Sequence, residues 1–212
     1  MKIPWIAILR VSLTAPFIAA AASGQPLALT SPDRVEMKED LGAENPKWNF
    51  VAGRWVRRPS GGRQVLAQIA ETQPWAVAIL EDRRFDDVDV TVRFRPISGK
   101  EDASGGIIFR ARDGKNYFLV RANALENNFR LYTMISGQRR LIASARVTEP
   151  SLGEWHTLRV VAQGVRIQAY LDGTLLVDHA DATFKAGYIG LWTKADSVTE
   201  FADLLVTGVP MN

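Results

Sequence analysis

The chain has 212 residues, with 26 Lys and Arg against 23 Asp and Glu, two histidines and no cysteine. A disulfide framework, a lipid-bearing cysteine and a cysteine nucleophile are therefore excluded, and a histidine-based metal centre lacks ligands. Setting aside Lys2 and Arg10 with the N-terminal segment leaves 24 basic against 23 acidic side chains, so charge gives no support for nucleic acid or an anionic membrane as partner.

Residues 1–24 read as a signal peptide: Lys2 opens it, residues 3–18 are largely apolar, and residues 19–24 are small enough for a signal peptidase. Arg10 interrupts the apolar run, which argues against a permanent span. The expectation is cleavage near Gly24 and a periplasmic or secreted protein with no stable membrane span afterwards. An uncleaved N-terminal anchor is the alternative. Residues 25–47 form a polar lead-in broken by Pro26, Pro32 and Pro46, partly extended, with a short helical turn around residues 35–41.

From Trp48 onward, strand-like runs alternate with turn residues at intervals of about 8 to 12 residues, the spacing of a β-sandwich. A short strand over residues 76–80 precedes a charged loop. The clearest alternation follows it: Val88, Val90, Val92 and Phe94 against Asp89, Thr91, Arg93 and Arg95. Residues 106–111, 116–123 and 128–134 make three antiparallel strands, joined by an Asp113-Gly114 turn that calls for a positive φ and by residues 124–127. On the middle strand Tyr117, Leu119, Arg121 and Asn123 share one face and Phe118, Val120 and Ala122 the other. Residues 154–162 and 165–171 alternate likewise, and Asp172-Gly173 marks a hairpin. No window of helical period rivals these runs. The fold class is all-β: two packed antiparallel sheets over residues 48–208.

The sequence contains no GxSxG elbow, HExxH, P-loop or GxGxxG. His156 shares parity with Leu158 and Val160, which favours a core or sheet-edge role, and His179 ends a hairpin strand in solvent. The paired carboxylates of a β-sandwich glucanase sit at alternating positions of one strand, and no ExDxxE string occurs. Asp87 and Asp89 have that separation but read as a solvated strand face. Glu126 is more informative, because it lies at a strand end beside Arg121, Asn123 and Asn128. The plainer reading of that cluster is a turn with a surface ion pair. A second polar string runs Trp192-Thr193-Lys194-Ala195-Asp196-Ser197. An indole beside Lys and Asp suits a sugar, whose apolar face it covers, although Trp192 also suits a sandwich core. Calcium fits lectin-like loops, but the acidic loops at Asp86-Asp87 and Glu101-Asp102 show no dense ligand pattern, so the sequence requires no metal.

Several strings carry a resemblance. Val65-Leu66-Ala67-Gln68, Val92-Arg93-Phe94-Arg95-Pro96-Ile97-Ser98-Gly99, Gly105-Gly106-Ile107-Ile108-Phe109-Arg110, residues 117–128, Trp155-His156-Thr157-Leu158-Arg159-Val160 and residues 190–198 resemble the 3-keto-disaccharide hydrolase domain of the concanavalin A-like lectin/glucanase superfamily. The resemblance covers roughly Trp48 to Val206 and implies a jelly-roll of two curved sheets. It also implies export and the binding or cleavage of glycosides, some oxidised at the sugar 3-position. A 3-keto group acidifies the neighbouring C–H, so a base and an electrophile for the enolate suffice for elimination. On that chemistry Glu126 or Asp196 is the candidate base, and Arg110, Arg121 or Lys194 the candidate electrophile. Asn123, Asn128 and Trp192 complete the expected carbohydrate contacts. A lectin-like module that binds glycan without turnover is the alternative.

Overall fold

The alternation of apolar and polar residues resolves into fourteen strands in the computed structural model, which describes residues 24–148 and 150–211. They are β1 (Val35–Glu39), β2 (Trp48–Ala52), β3 (Trp55–Ser60), β4 (Arg63–Gln68), β5 (Thr72–Ser98), β6 (Ser104–Asp113) and β7 (Asn116–Asn123). There follow β8 (Asn128–Ile135), β9 (Gln138–Arg146), β10 (His156–Gln163), β11 (Arg166–Leu171), β12 (Thr174–Ala180), β13 (Gly187–Ala195) and β14 (Val198–Pro210). No helix occurs among the described residues, and so none that could cross a membrane. The expected signal peptide lies outside the described residues except for Gly24.

All pairings are antiparallel, and β5 joins two layers. Its residues 72–80 pair with β13 and β2, while residues 85–98 pair with β10 and β14. Sheet I therefore runs β12-β11-β10-β5-β14, with β4 and β1 sharing the far side of β14 and β3 outside β4. Sheet II runs β2-β5-β13-β6-β7-β8-β9. The main core lies between them. Val88, Val90, Val92 and Phe94 of β5 and Leu158 and Val160 of β10 face Ile107, Phe109, Phe118, Val120, Ile189 and Leu191 of sheet II. All are at most 1% exposed, each contributing about 1.5–3 kcal/mol through burial. The jelly-roll sandwich expected from the sequence is the fold.

Three local expectations change. Residues 35–39 form strand β1 rather than a helical turn, because β14 offers them an unpaired edge in register from Val35↔Gly208 to Glu39↔Leu204. The charged residues 81–84 do not loop out. They keep β5 extended where it passes from one sheet to the other, with Glu81 N–H donating to Lys47 O at 2.8 Å and Met211 N–H to Arg84 O at 2.9 Å. Gly114 does not adopt a positive φ. It is small because a Cβ there would stand 2.6 Å from Val51 Cγ1, while Asp172 and Gly173 do take positive φ in their hairpin.

Candidate functional site

Sheet II is apolar on both faces. Away from the main core, Val77, Ile79, Ile108, Tyr117, Leu119, Tyr132, Met134 and Trp192 form a second buried cluster on its outer side, flanked by Trp75 and Tyr188. Strand alternation places Trp192 opposite Ile189 and Leu191, so Trp192 belongs to this outer cluster and not to the inter-sheet core. The face curls toward these residues. The Arg139 guanidinium of β9 lies 4.7 Å from the Tyr132 ring centroid, 5.5 Å from Trp75 and 6.0 Å from Trp192. In a flat sheet β9 and the Trp75 strand would be roughly 24 Å apart, further than the two side chains can close.

One row of cross-strand neighbours carries the chemistry: Val77↔Trp192↔Gly106↔Arg121↔Arg130↔Ser144. Gly106 is the position without a side chain in this row. A Cβ there would lie 2.8 Å from Leu119 Cδ1 and 2.9 Å from Val120 O, so only a glycine lets Leu119 pack between the indole and the guanidinium. Arg121 is buried, its side chain 2% exposed. Its Nη2 donates to Glu126 Oε2 at 2.8 Å, whereas Nε and Nη1 find no partner. Asn128 Nδ2 donates to the same Glu126 oxygen at 2.8 Å, and Arg130 Nη1 stands 3.8 Å from it. Asn123 Oδ1 accepts from Leu125 N–H at 2.9 Å and from Ala103 N–H at 3.4 Å, which shapes the turn carrying Glu126 and leaves Nδ2 unused.

The electrostatics follow from this packing. Burial raises the Glu126 carboxyl, but hydrogen bonds from Arg121 and Asn128 and the charges of Arg121 and Arg130 outweigh it, holding the group at about 2. Burial opposes the Arg121 charge, and Tyr132 and Glu126 overcome it, so this guanidinium is held above its usual range. The Tyr117 phenol is pushed up by burial. The Trp192 indole and the Arg139 charge oppose that shift, yet neither makes a hydrogen bond of ordinary geometry to the hydroxyl.

The other expected site residues divide. Lys194 stands at the edge of the same face and donates to the buried Asp102 at 3.2 Å. Asp196 accepts backbone N–H bonds from Lys100 at 2.6 Å and from Glu101 and Asp102 at 3.0 Å each. Burial raises its carboxyl, the three amides outweigh that, and the loop they clamp is what Asp196 organises. Arg110 lies apart from the Arg121 group. At φ 49° in a break of the β6–β7 register, it sends Nε to Asp86 O at 3.0 Å and Nη1 to Gly164 O at 2.8 Å, bracing β5 against the turn at Gly164. The face also contains Tyr117, which alternation already places beside Arg121, and Arg130, Tyr132, Arg139 and Trp75, which were not singled out from the sequence. Arg130 was reachable by parity, since a tight connection after Asn123 sets it opposite Arg121. Arg139 and Trp75 meet only through the curl.

Among the described residues, twelve buried side-chain polar atoms have no hydrogen-bond partner in the protein, and nine belong to this face. They are on Ser104, Tyr117, Arg121 (two), Asn123, Asn128, Arg130, Arg139 and Trp192. A separate cleft of about 530 Å³, lined by Lys38, Glu39, Asp40, Arg63, Gln64 and Asp203 among others, contains none of them. No group of three or more His, Asp or Glu side chains arranged to hold a metal ion occurs among the described residues.

Comparison with known proteins adds the lineage. A levanase of Bacillus subtilis (strain 168) is 28% identical over 104 residues, which is 49% of this chain and only 15% of the levanase. The carbohydrate binding module CBM66 from Bacillus subtilis superposes with a TM-score of 0.66 at 22% identity, covering 74% of this chain and 93% of the module. A prokaryotic β-1,3-1,4-glucanase (lichenase) derived from a mouse hindgut metagenome gives 0.58 at 14% identity, covering 83% and 99%. At these identities the solved structures establish the shared fold alone. The model of the 3-keto-alpha-glucoside-1,2-lyase-like domain matches residues 42–207, and the chain belongs to that family.

Proposed function

We propose that the domain binds a glycoside on the outer, curled face of sheet II, in the row from Trp192 across Gly106 to Arg121 and Arg130. The observation that carries this reading is the gathering of nine unpartnered buried polar atoms on one face. A buried donor or acceptor without a partner costs about 1–3 kcal/mol, and such a density is explained by a polyhydroxylated ligand that satisfies it. Asn123, Asn128, Arg121 and Arg130 then offer the hydroxyl contacts, and the buried Trp192 supplies the apolar floor beneath Arg139.

Cleavage is the second reading, favoured by the family and by the free N–H groups of Arg121. In a 3-keto-disaccharide these would stabilise the enolate formed when the proton beside the ketone leaves, with Lys194 at the edge of the face. Glu126, held at about 2 by its partners, is a weak base, and Asp196 is engaged by three amides, so binding is the function the geometry supports best. We place the protein in the periplasm or outside the cell on its N-terminal sequence. Titrating purified protein with matched disaccharides and 3-keto-disaccharides by calorimetry, while following monosaccharide release, tests both readings. Saturable heat without product supports binding, product release supports cleavage, and neither signal across the panel removes the saccharide reading.

A further inference from the structure

The charge of this face narrows its ligand. Arg121 and Arg130 are direct cross-strand neighbours, and the carboxylate of Glu126 lies between them, 2.8 Å from one and 3.8 Å from the other. Arg139 has no carboxylate partner and covers aromatic rings. Four guanidinium nitrogens here, two on Arg121 and one each on Arg130 and Arg139, are buried and unpartnered. Neutral hydroxyls would satisfy single donors. Three guanidiniums set against the single carboxylate of Glu126 leave positive charge on this face, which a second carboxylate balances through charge-assisted hydrogen bonds.

Glu126 shows how such a group sits. Its side chain is 37% exposed, on a turn whose Leu125 is 41% exposed, and it covers an Arg121 side chain that is 2% exposed. A carboxylate from solvent can take its place if the Glu126 side chain turns outward. We propose that the ligand is an acidic saccharide, a uronic acid glycoside whose carboxylate docks on Arg121 and Arg130, with Glu126 occupying that position until the ligand displaces it. The inference rests on the saccharide reading of this face and adds the acidic group.

The test is calorimetry at low and at physiological salt with methyl glucuronide and methyl galacturonide, each set against the neutral methyl glucoside and methyl galactoside. The expected result is at least tenfold tighter binding of the uronides, weakened by salt. Glu126→Gln should tighten uronide binding several-fold by removing the competing carboxylate, and Arg130→Gln, at a side chain 33% exposed and so tolerant of change, should loosen it about tenfold. Both variants should change affinity for the uronides by a larger factor than affinity for the neutral sugars. Uronides binding no better than neutral sugars, or a Glu126→Gln protein that binds uronides more weakly, would overturn the acidic assignment and leave the saccharide face standing. Silence from all four sugars and from longer glycans would remove both.

Discussion

On the outer face of sheet I, Arg159 and Asp89 form a paired fork with contacts of 2.9 and 2.6 Å, and Arg166 and Asp178 another at 2.8 and 2.6 Å. Glu200, 3% exposed, holds both Arg58 and Arg95, and Ser60 adds a hydrogen bond at 2.8 Å. On the outer face of sheet II, Arg121 and Arg130 share one carboxylate, Arg139 lies over aromatic rings, and all three retain unpartnered nitrogens. Both faces belong to one sandwich and both are rich in arginine. One uses its charges internally; the other leaves donors open and loses stability by doing so. Groups kept unsatisfied at that cost point to a ligand, which is why the sheet II face is the candidate site.

The sharpest way to break this comparison is a matched pair of substitutions. Arg121→Met should weaken glycoside binding by about 10- to 100-fold, the loss of one or two charge-assisted hydrogen bonds. Arg95→Met should leave binding unchanged and cost about 2 kcal/mol of stability, because Glu200 stays buried with one arginine fewer. Calorimetric titration and thermal melts of the two proteins measure both quantities. If Arg95→Met altered affinity as much as Arg121→Met, the distinction between the faces would fail.

Gly106→Ala probes the close packing within the row. Its Cβ would meet Leu119 and the Val120 carbonyl, so a loss of about 1–3 kcal/mol in unfolding free energy is expected, together with weaker binding. Denaturant titration reads the first and calorimetry the second. A protein with unchanged affinity would show that binding does not depend on the packing at Gly106.

Acid titration separates Glu126 from the background of other carboxylates. Its folded-state pKa of about 2 lies below the usual 4.5, so its contribution is fully present above pH 4.5 and disappears as pH falls through about 2. With its side chain 37% exposed, solvent screening reduces that contribution to about 1 kcal/mol or less. Melting temperatures recorded between pH 5 and pH 2 should therefore decline less steeply for Glu126→Gln than for the wild type. Parallel curves would mean that the Arg121–Glu126 pair contributes nothing to folding.

The smallest effect has opposite signs on the two faces. Tyr170 OH donates to Gln168 Oε1 at 2.8 Å on sheet I, whereas Tyr117 OH on sheet II has no partner. Tyr170→Phe should destabilise by about 1 kcal/mol and Tyr117→Phe should stabilise by up to about 1 kcal/mol. Chemical denaturation of the two variants against wild type resolves the difference in sign.

Much of this arrangement was legible in the chain. Alternation along β7 assigned Tyr117, Leu119, Arg121 and Asn123 to one face, and the structure keeps them there. It also marked the turn with Glu126 as the polar end of that face. What misled was composition read locally. The charged residues 81–84 looked like a loop because their side chains reach solvent, although the backbone of β5 continues through them. Residues 35–39 carried no strong strand pattern, since their pairing depends on an edge of β14 some 170 residues away in sequence. Arg110 and Asp196 have the residue types of a site, but one is drawn to backbone carbonyls of β5 and of the Gly164 turn and the other to loop amides.

The sequence by itself determined the period-2 strands, their inner and outer faces, the hairpin turn at Asp172-Gly173 and the membership of a β-sandwich, because each rests on contacts between near neighbours in the chain. Tertiary structure decided which strands lie side by side, how far sheet II curls, and so which residues from distant strands meet over Trp192. Those outcomes depend on long-range backbone pairing and on the summed twist of seven strands, quantities that no local window encodes.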